Sequence, residues 1–217
     1  MEGSNEKYPV SLDIDYPDQA DRLTTFFRLL TAIPILIILG MLIGGECNVD
    51  AADAWKYAYH GGGIVFIPTL LMIVIMQKYP RWWFDWNLEL TRFSTRVSSY
   101  LLLLTHVYPS TDESQGVHID ISYPDVKNDL QRGMPLVKWL LVVPHLIILY
   151  FLYVAVLVCT IIGWFAILFT GAYPRSFFDF VVGVMRWSLR VFSYAILLTT
   201  DDYPPFQLFD EIPKAEV

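Results

Sequence analysis

The chain has 217 residues, of which 55% are apolar, 16% aromatic and only 17% charged, against about 25% charged in ordinary soluble domains. That excess of apolar surface calls for lipid and excludes a freely soluble globule. The formal charge of -7 excludes nucleic acid as a main partner, because phosphate binding needs a field dominated by Lys and Arg.

The first 25 residues are polar and open acidically, with no cationic stretch ahead of a short apolar core, so the first apolar segment is expected to stay as an anchor. Val10, Leu12 and Ile14 alternate with Ser11, Asp13 and Asp15 before Tyr16-Pro17, which predicts a short strand. Two apolar arms follow, Phe26 to Ile43 and Gly61 to Met76, with Arg28 placed to snorkel from the membrane surface and Pro34 set to kink the first arm. The polar insert 46–60 between them marks the turn of a transmembrane hairpin. Tyr79-Pro80-Arg81 then opens an amphipathic helix over 81–104. Its apolar face holds Trp83, Trp86, Leu90, Phe93, Val97 and Leu101, and its polar face Asp85, Glu89, Arg92 and Arg96.

A linker, 110–116, leads to a second copy of the pattern over 117–206. Val117, Ile119 and Ile121 alternate with His118, Asp120 and Ser122, again before Tyr-Pro. The uncharged run Trp139 to Phe169 is too long for one straight crossing of a hydrocarbon core of about 30 Å. By analogy with the first unit it predicts a second hairpin, turning near Tyr150 to Val158, with Pro144 kinking its first arm. Tyr173-Pro174-Arg175 opens the second amphipathic helix, where Phe177, Phe180, Val184, Trp187 and Val191 oppose Asp179, Arg186 and Arg190. Residues 207–217 form a tail.

Five segments thus recur in the same order, and Arg92, Arg96, Tyr100 and Thr105 fall on Arg186, Arg190, Tyr194 and Thr199. The fold expected is an all-α membrane protein of two tandem repeats, each a short strand, a transmembrane helical hairpin and an interfacial amphipathic helix, with four crossings in all. Every Lys and Arg except Lys56 lies outside the hairpin insert, which predicts cytoplasmic termini and linker and two parallel copies. The alternatives are a re-entrant hairpin that does not cross, and amphipathic helices that span, giving six crossings.

The arginines admit two readings. Arg92, Arg96, Arg186 and Arg190 either pair inside the fold with Asp85, Asp179 or chain carbonyls, or bind lipid phosphate, for which the guanidinium fork is suited. The strands are expected to pair with each other or with another subunit. Asp13, Asp15, Asp18, Asp120 and Asp125 could in principle hold a metal, but no His or Cys joins them at ligand spacing, so no metal and no cofactor is expected. His60, His106, His118 and His145 are scattered, and Gly61 to Gly63 lacks the Lys-Ser or Lys-Thr of a phosphate loop, so no catalytic residue stands out. Cys47 and Cys159 have no motif spacing and read as inert side chains or as a disulfide.

The run from Tyr173 to Thr199, closing in Asp202-Tyr-Pro-Pro-Phe206, resembles bacterial membrane proteins grouped as domain of unknown function 4389, with the first unit carrying the same motifs more loosely. The resemblance implies a bacterial inner membrane and no particular reaction. Together these readings favour a non-catalytic scaffold or accessory subunit that binds membrane lipids and either a protein partner or further copies of itself. A small oligomeric channel or transporter is the alternative, and an enzyme a more distant one.

Overall fold

The computed structural model describes residues 8–17, 21–43, 66–111, 113, 115–126, 128 and 130–209. In chain order the elements are β1 (Val10–Ile14), α1 (Arg22–Ile43), α2 (Phe66–Met76), α3 (Arg81–Leu101), β2 (Val117–Ile121), α4 (Met134–Leu141), α5 (Val143–Thr170) and α6 (Arg175–Phe192). The last helix runs on through a π turn, Ser193–Leu197. The insert 46–60 and Cys47 lie outside the described residues.

β1 and β2 pair with each other as an antiparallel ribbon centred on Leu12 opposite Ile119. Asp15 N–H donates to the Gly116 carbonyl and Ser122 N–H to Pro9, so the ladder bonds fall on those pairs and on the alternate ones between. The Leu12 and Ile119 carbonyls therefore point off the two open edges of the ribbon. Val10, Leu12 and Ile14, with Val117, Ile119 and Ile121, are buried on one face, while Asp13, Asp15, His118 and Asp120 are exposed on the other. Alternation in the sequence thus becomes one greasy and one wet face.

Asp21 starts α1 by accepting from the Leu23 N–H, an ordinary capping use of a carboxylate. Gln77 after α2 and Gly171 after α5 take left-handed conformations, at φ 46 and φ 80, and turn the chain into the two Tyr-Pro-Arg segments. The expected turn at 150–158 is absent. α5 is one helix of 28 residues, about 42 Å long, because nothing in 150–158 breaks it: those residues are all apolar and none is Gly or Pro. The second of the two expected hairpins is therefore not formed. Pro144 sits in the first turn of α5 and inside the run that begins at Met134, since Val142 keeps the chain helical between α4 and α5, bonding back to Lys138 and forward to Leu146.

The helices pack lengthwise. Lys138 lies over the Tyr194 ring, His145 meets Trp187, Tyr153 bonds Ser188 and Gly163 abuts Tyr173, so α4–α5 runs antiparallel to α6. Arg28 meets Tyr100 and Ile35 clusters with Phe93 and Val97, so α1 runs antiparallel to α3. α1 and α5 meet where Trp164 donates to the Thr25 carbonyl at 3.2 Å, and at the other end the residue after α2 meets the segment before α4, where Arg132 donates to Gln77 at 2.6 Å. β1 follows α6 from Tyr8 over Arg190 to Tyr16 against Phe178, and β2 follows α3 from Ile119 by Arg92 to Tyr123 against Phe84.

Phe178, Arg186 and Arg190 on the ribbon side of α6 stand about half a helical turn from Val184, Trp187 and Val191 on the α5 side. The result is three layers, with α1 and α5 outermost, α3 and α6 in the middle and the ribbon on the far side. α6, expected to rest its apolar face on lipid, has that face covered by α5 and its arginine face covered by the ribbon and the segment after it. Among the described residues three segments, α1, α5 and Arg175–Leu197, are long and apolar enough to cross a membrane.

Candidate functional site: arginines between helix and ribbon

α6 carries Arg186 on the turn that faces β1. Its Nε donates to the outward Leu12 carbonyl at 2.8 Å and a terminal nitrogen reaches the Leu208 carbonyl at 3.4 Å, with Asp13 at 3.9 Å. α3 does the same on the other edge, where Arg92 donates to the Ile119 carbonyl at 3.2 Å and to Glu89 at 2.6 Å. An unpaired strand edge is a liability, and each open edge here receives a guanidinium. One turn on, Arg96 donates to the Ser110 carbonyl at 3.1 Å and Arg190 to the Gln207 carbonyl at 3.3 Å, both almost fully buried. All four arginines address backbone carbonyls. Asp85 and Asp179 instead pair with Arg81 at 3.2 Å and Arg175 at 3.4 Å, on exposed helix starts where such pairs contribute little.

The two Tyr-Pro-Arg segments interlock with the strand exits. Tyr16 donates its hydroxyl to the Tyr173 carbonyl and Arg175 lies 4.5 Å over the Tyr16 ring; Tyr123 donates to the Tyr79 carbonyl and Arg81 lies 4.6 Å over the Tyr123 ring. Pro80 and Pro174 precede the first helical residues, at φ -57, ψ 133 and φ -60, ψ 125. Burial pushes the phenols of Tyr8, Tyr79 and Tyr173 up, that of Tyr173 to about 12.

Two cations were missed as a pair from sequence. Arg28 is buried, donates to the Tyr100 carbonyl at 2.6 Å, meets His106 at 3.2 Å and lies 4.5 Å over the Tyr100 ring. It is drawn inward to the end of α3, where the Tyr100 carbonyl accepts from the Leu103 N–H and has capacity for a second donor at the negative end of the helix. Lys138 is equally enclosed, donating to the Thr200 carbonyl at 2.7 Å and pairing with Asp201 at 2.8 Å, beside Tyr194. Both stand six residues before a proline, Pro34 and Pro144, and that shared offset was the available signal.

His145 accepts from Trp187 Nε1 at 3.0 Å and stacks on Phe206 at 4.0 Å, a closed aromatic setting. His118 meets Asp15 at 3.3 Å on the wet face of the ribbon. Asp13, Asp15, Asp120 and Asp125 do not converge: among the described residues no three His, Cys, Asp or Glu side chains could share a metal ion. Asp18 and His60 lie outside the described residues. Cys159 is a half-buried thiol in α5. A cleft of about 560 Å³ between α3, α5 and α6 is lined by Thr91, Ser94, Thr95 and Ser98, whose hydroxyls donate to carbonyls one turn back.

The comparisons with known proteins bear on one half of this arrangement. Residues 134–207 match the family model described as a domain of unknown function (DUF4389). The match takes in α4, α5, α6 and the segment that covers Arg190, and with it Lys138, His145, Arg186 and Arg190. It covers one copy and about a third of the chain, so the similarity to this family is narrower than the near full-length one expected from sequence. No curated protein and no solved structure matches the chain.

Proposed function

We propose that the chain is a non-catalytic membrane module, a scaffold or accessory subunit, built from two copies of one unit about a twofold axis through the Leu12–Ile119 pair. The observation that carries the membrane reading is the outer layer. α1 and α5 leave Leu29, Ile37, Met41, Phe151, Leu157 and Phe169 exposed, with Arg22 at the start of α1 the one exposed charge on the two helices, and exposed apolar surface on that scale marks a lipid or protein contact. Arg28, Arg92, Arg96, Lys138, Arg186 and Arg190, meanwhile, are engaged with carbonyls of the fold. The repeated contacts support the two-copy reading: Arg92 and Arg186 on the ribbon edges, Tyr16 and Tyr123 on the Tyr-Pro carbonyls, Arg28 and Lys138 at the helix ends.

In this reading the ribbon, the linker and the ends of the chain share the cytoplasmic face of a bacterial inner membrane. Lipid is the first partner, and the ribbon's wet face is what remains for a protein partner or a second copy. The test is fractionation and reconstitution. The chain sediments with membranes, resists alkaline carbonate, and in liposomes carries no ion or solute flux above protein-free vesicles. Recovery in the soluble fraction contradicts the membrane reading, and flux that scales with protein supports the channel alternative instead.

A further inference from the structure

Every long element of this fold shares one direction. Strands, middle helices and outer helices lie lengthwise on one another, and the contacts at both ends of α1–α2 and α4–α5 fix the alignment. The two sides normal to that direction have opposite character. Among the described residues, the outward sides of α1 and α5 are apolar apart from Arg22, Thr31 and Thr170. Beyond the ribbon there are Asp13 at 77% side-chain exposure, Asp15 at 69% and His118 at 60%, with Asp120 exposed beside them. Standing the shared direction along the membrane normal would carry these charges, and the half-exposed Glu89 of α3, through the hydrocarbon core. It would also set a helical run of about 55 Å, α4 through α5, against a core of about 30 Å.

We infer that the protein lies flat. α1 and α5 run in the plane of the membrane, sunk into one leaflet by their outer faces, and the ribbon faces water above them. The occupant of the apolar face is a lipid leaflet, and the fold is monotopic. This orientation rests on the membrane reading above. It explains why most of α6, long and apolar enough to cross, is covered by protein layers on two sides. It also explains how Arg186 and Arg190 can sit mid-helix, since they are directed to the watery side of the middle layer.

The test is a depth measurement along α5. Ile147, Val154, Val158 and Phe165 lie on one narrow exposed stripe, between 50% and 57% accessible. Each is replaced singly by cysteine in a full-length background with Cys47→Ala and Cys159→Ala, labelled with a fluorophore, and reconstituted into phosphatidylethanolamine and phosphatidylglycerol vesicles. Quenching by lipids brominated at graded acyl positions reads the depth. The flat orientation gives four depths within about 5 Å of one another. An upright helix spreads Ile147 and Phe165 by about 27 Å, the rise of 18 residues. That spread overturns the orientation while leaving membrane residence intact. Failure of the labelled chain to float with vesicles overturns both.

Discussion

Replacing Arg186 with Met removes the guanidinium from one ribbon edge while keeping an unbranched apolar stem of moderate length. Arg186 is only 13% exposed at its side chain, and its 2.8 Å bond to the Leu12 carbonyl joins a charged donor to an edge acceptor with no strand beside it. Hydrogen bonds to charged groups contribute about 1.5 to 3 kcal/mol. The 3.4 Å contact to Leu208 is too long to add much, and the 3.9 Å pairing with a well exposed Asp13 is screened. A local loss of about 2 kcal/mol follows, which is about 30-fold in an opening equilibrium. Hydrogen exchange in lipid vesicles reads it directly: amides of 10–14 and 117–121 exchange about 30-fold faster in Arg186→Met, while those of α5 do not change. Arg92→Met does the same from the other edge, with a smaller effect because Arg92 is 32% exposed. Unchanged ribbon protection, accompanied by loss of binding to anionic vesicles, would refute the edge-capping argument and return these arginines to lipid phosphate.

Gly163→Ala sets a methyl 2.5 Å from Tyr173 Cε2, against a ring that is itself 1% exposed; overpacking of this kind costs about 1 to 3 kcal/mol, read as a lower melting temperature in detergent, and Tyr173→Leu in the same chain restores part of it. Lys138→Met leaves Asp201 enclosed without its cation, a loss of about 3 kcal/mol in denaturant titration, and the further change Asp201→Asn recovers much of it; no recovery would mean the pair is not what holds that end of α4. Tyr173 also predicts an alkaline limb. Its folded pKa of about 12 stands above the free value of 10, so its contribution is whole below pH 10 and is lost as pH rises from 10 to 12. Unfolding midpoints measured across that window fall less steeply in Tyr173→Phe.

The strands were legible to the residue because period-two alternation ending in Tyr-Pro has one simple solution, and a ribbon of two short strands has only one partner at hand. The amphipathic helices were legible as helices for the same kind of reason. Their surroundings were not, since a helical wheel tells which residues share a face and not what covers it. Arg186 and Arg190 occupy the face assigned to them, but the cover is Leu12, Gln207 and Leu208, distant in sequence. The second hairpin failed on a length argument that assumed an upright helix. Length limits a span only if the helix spans, and 150–158 carries no Gly, Pro or polar break that would turn the chain there. Arg28 was taken as a surface cation because the sequence does not show that the end of α3 returns beside it.

Lipid against α1 and α5, and water against the ribbon, is the division on which the rest stands. It is tested most directly by spin labels at Ile161 on α5 and Asp120 on the ribbon, with collision rates measured in vesicles against molecular oxygen and a water-soluble nickel chelate. The account predicts a label at 161 relaxed by oxygen and shielded from nickel, and a label at 120 with the reverse. Nickel access at 161, or oxygen dominance at 120, would contradict it.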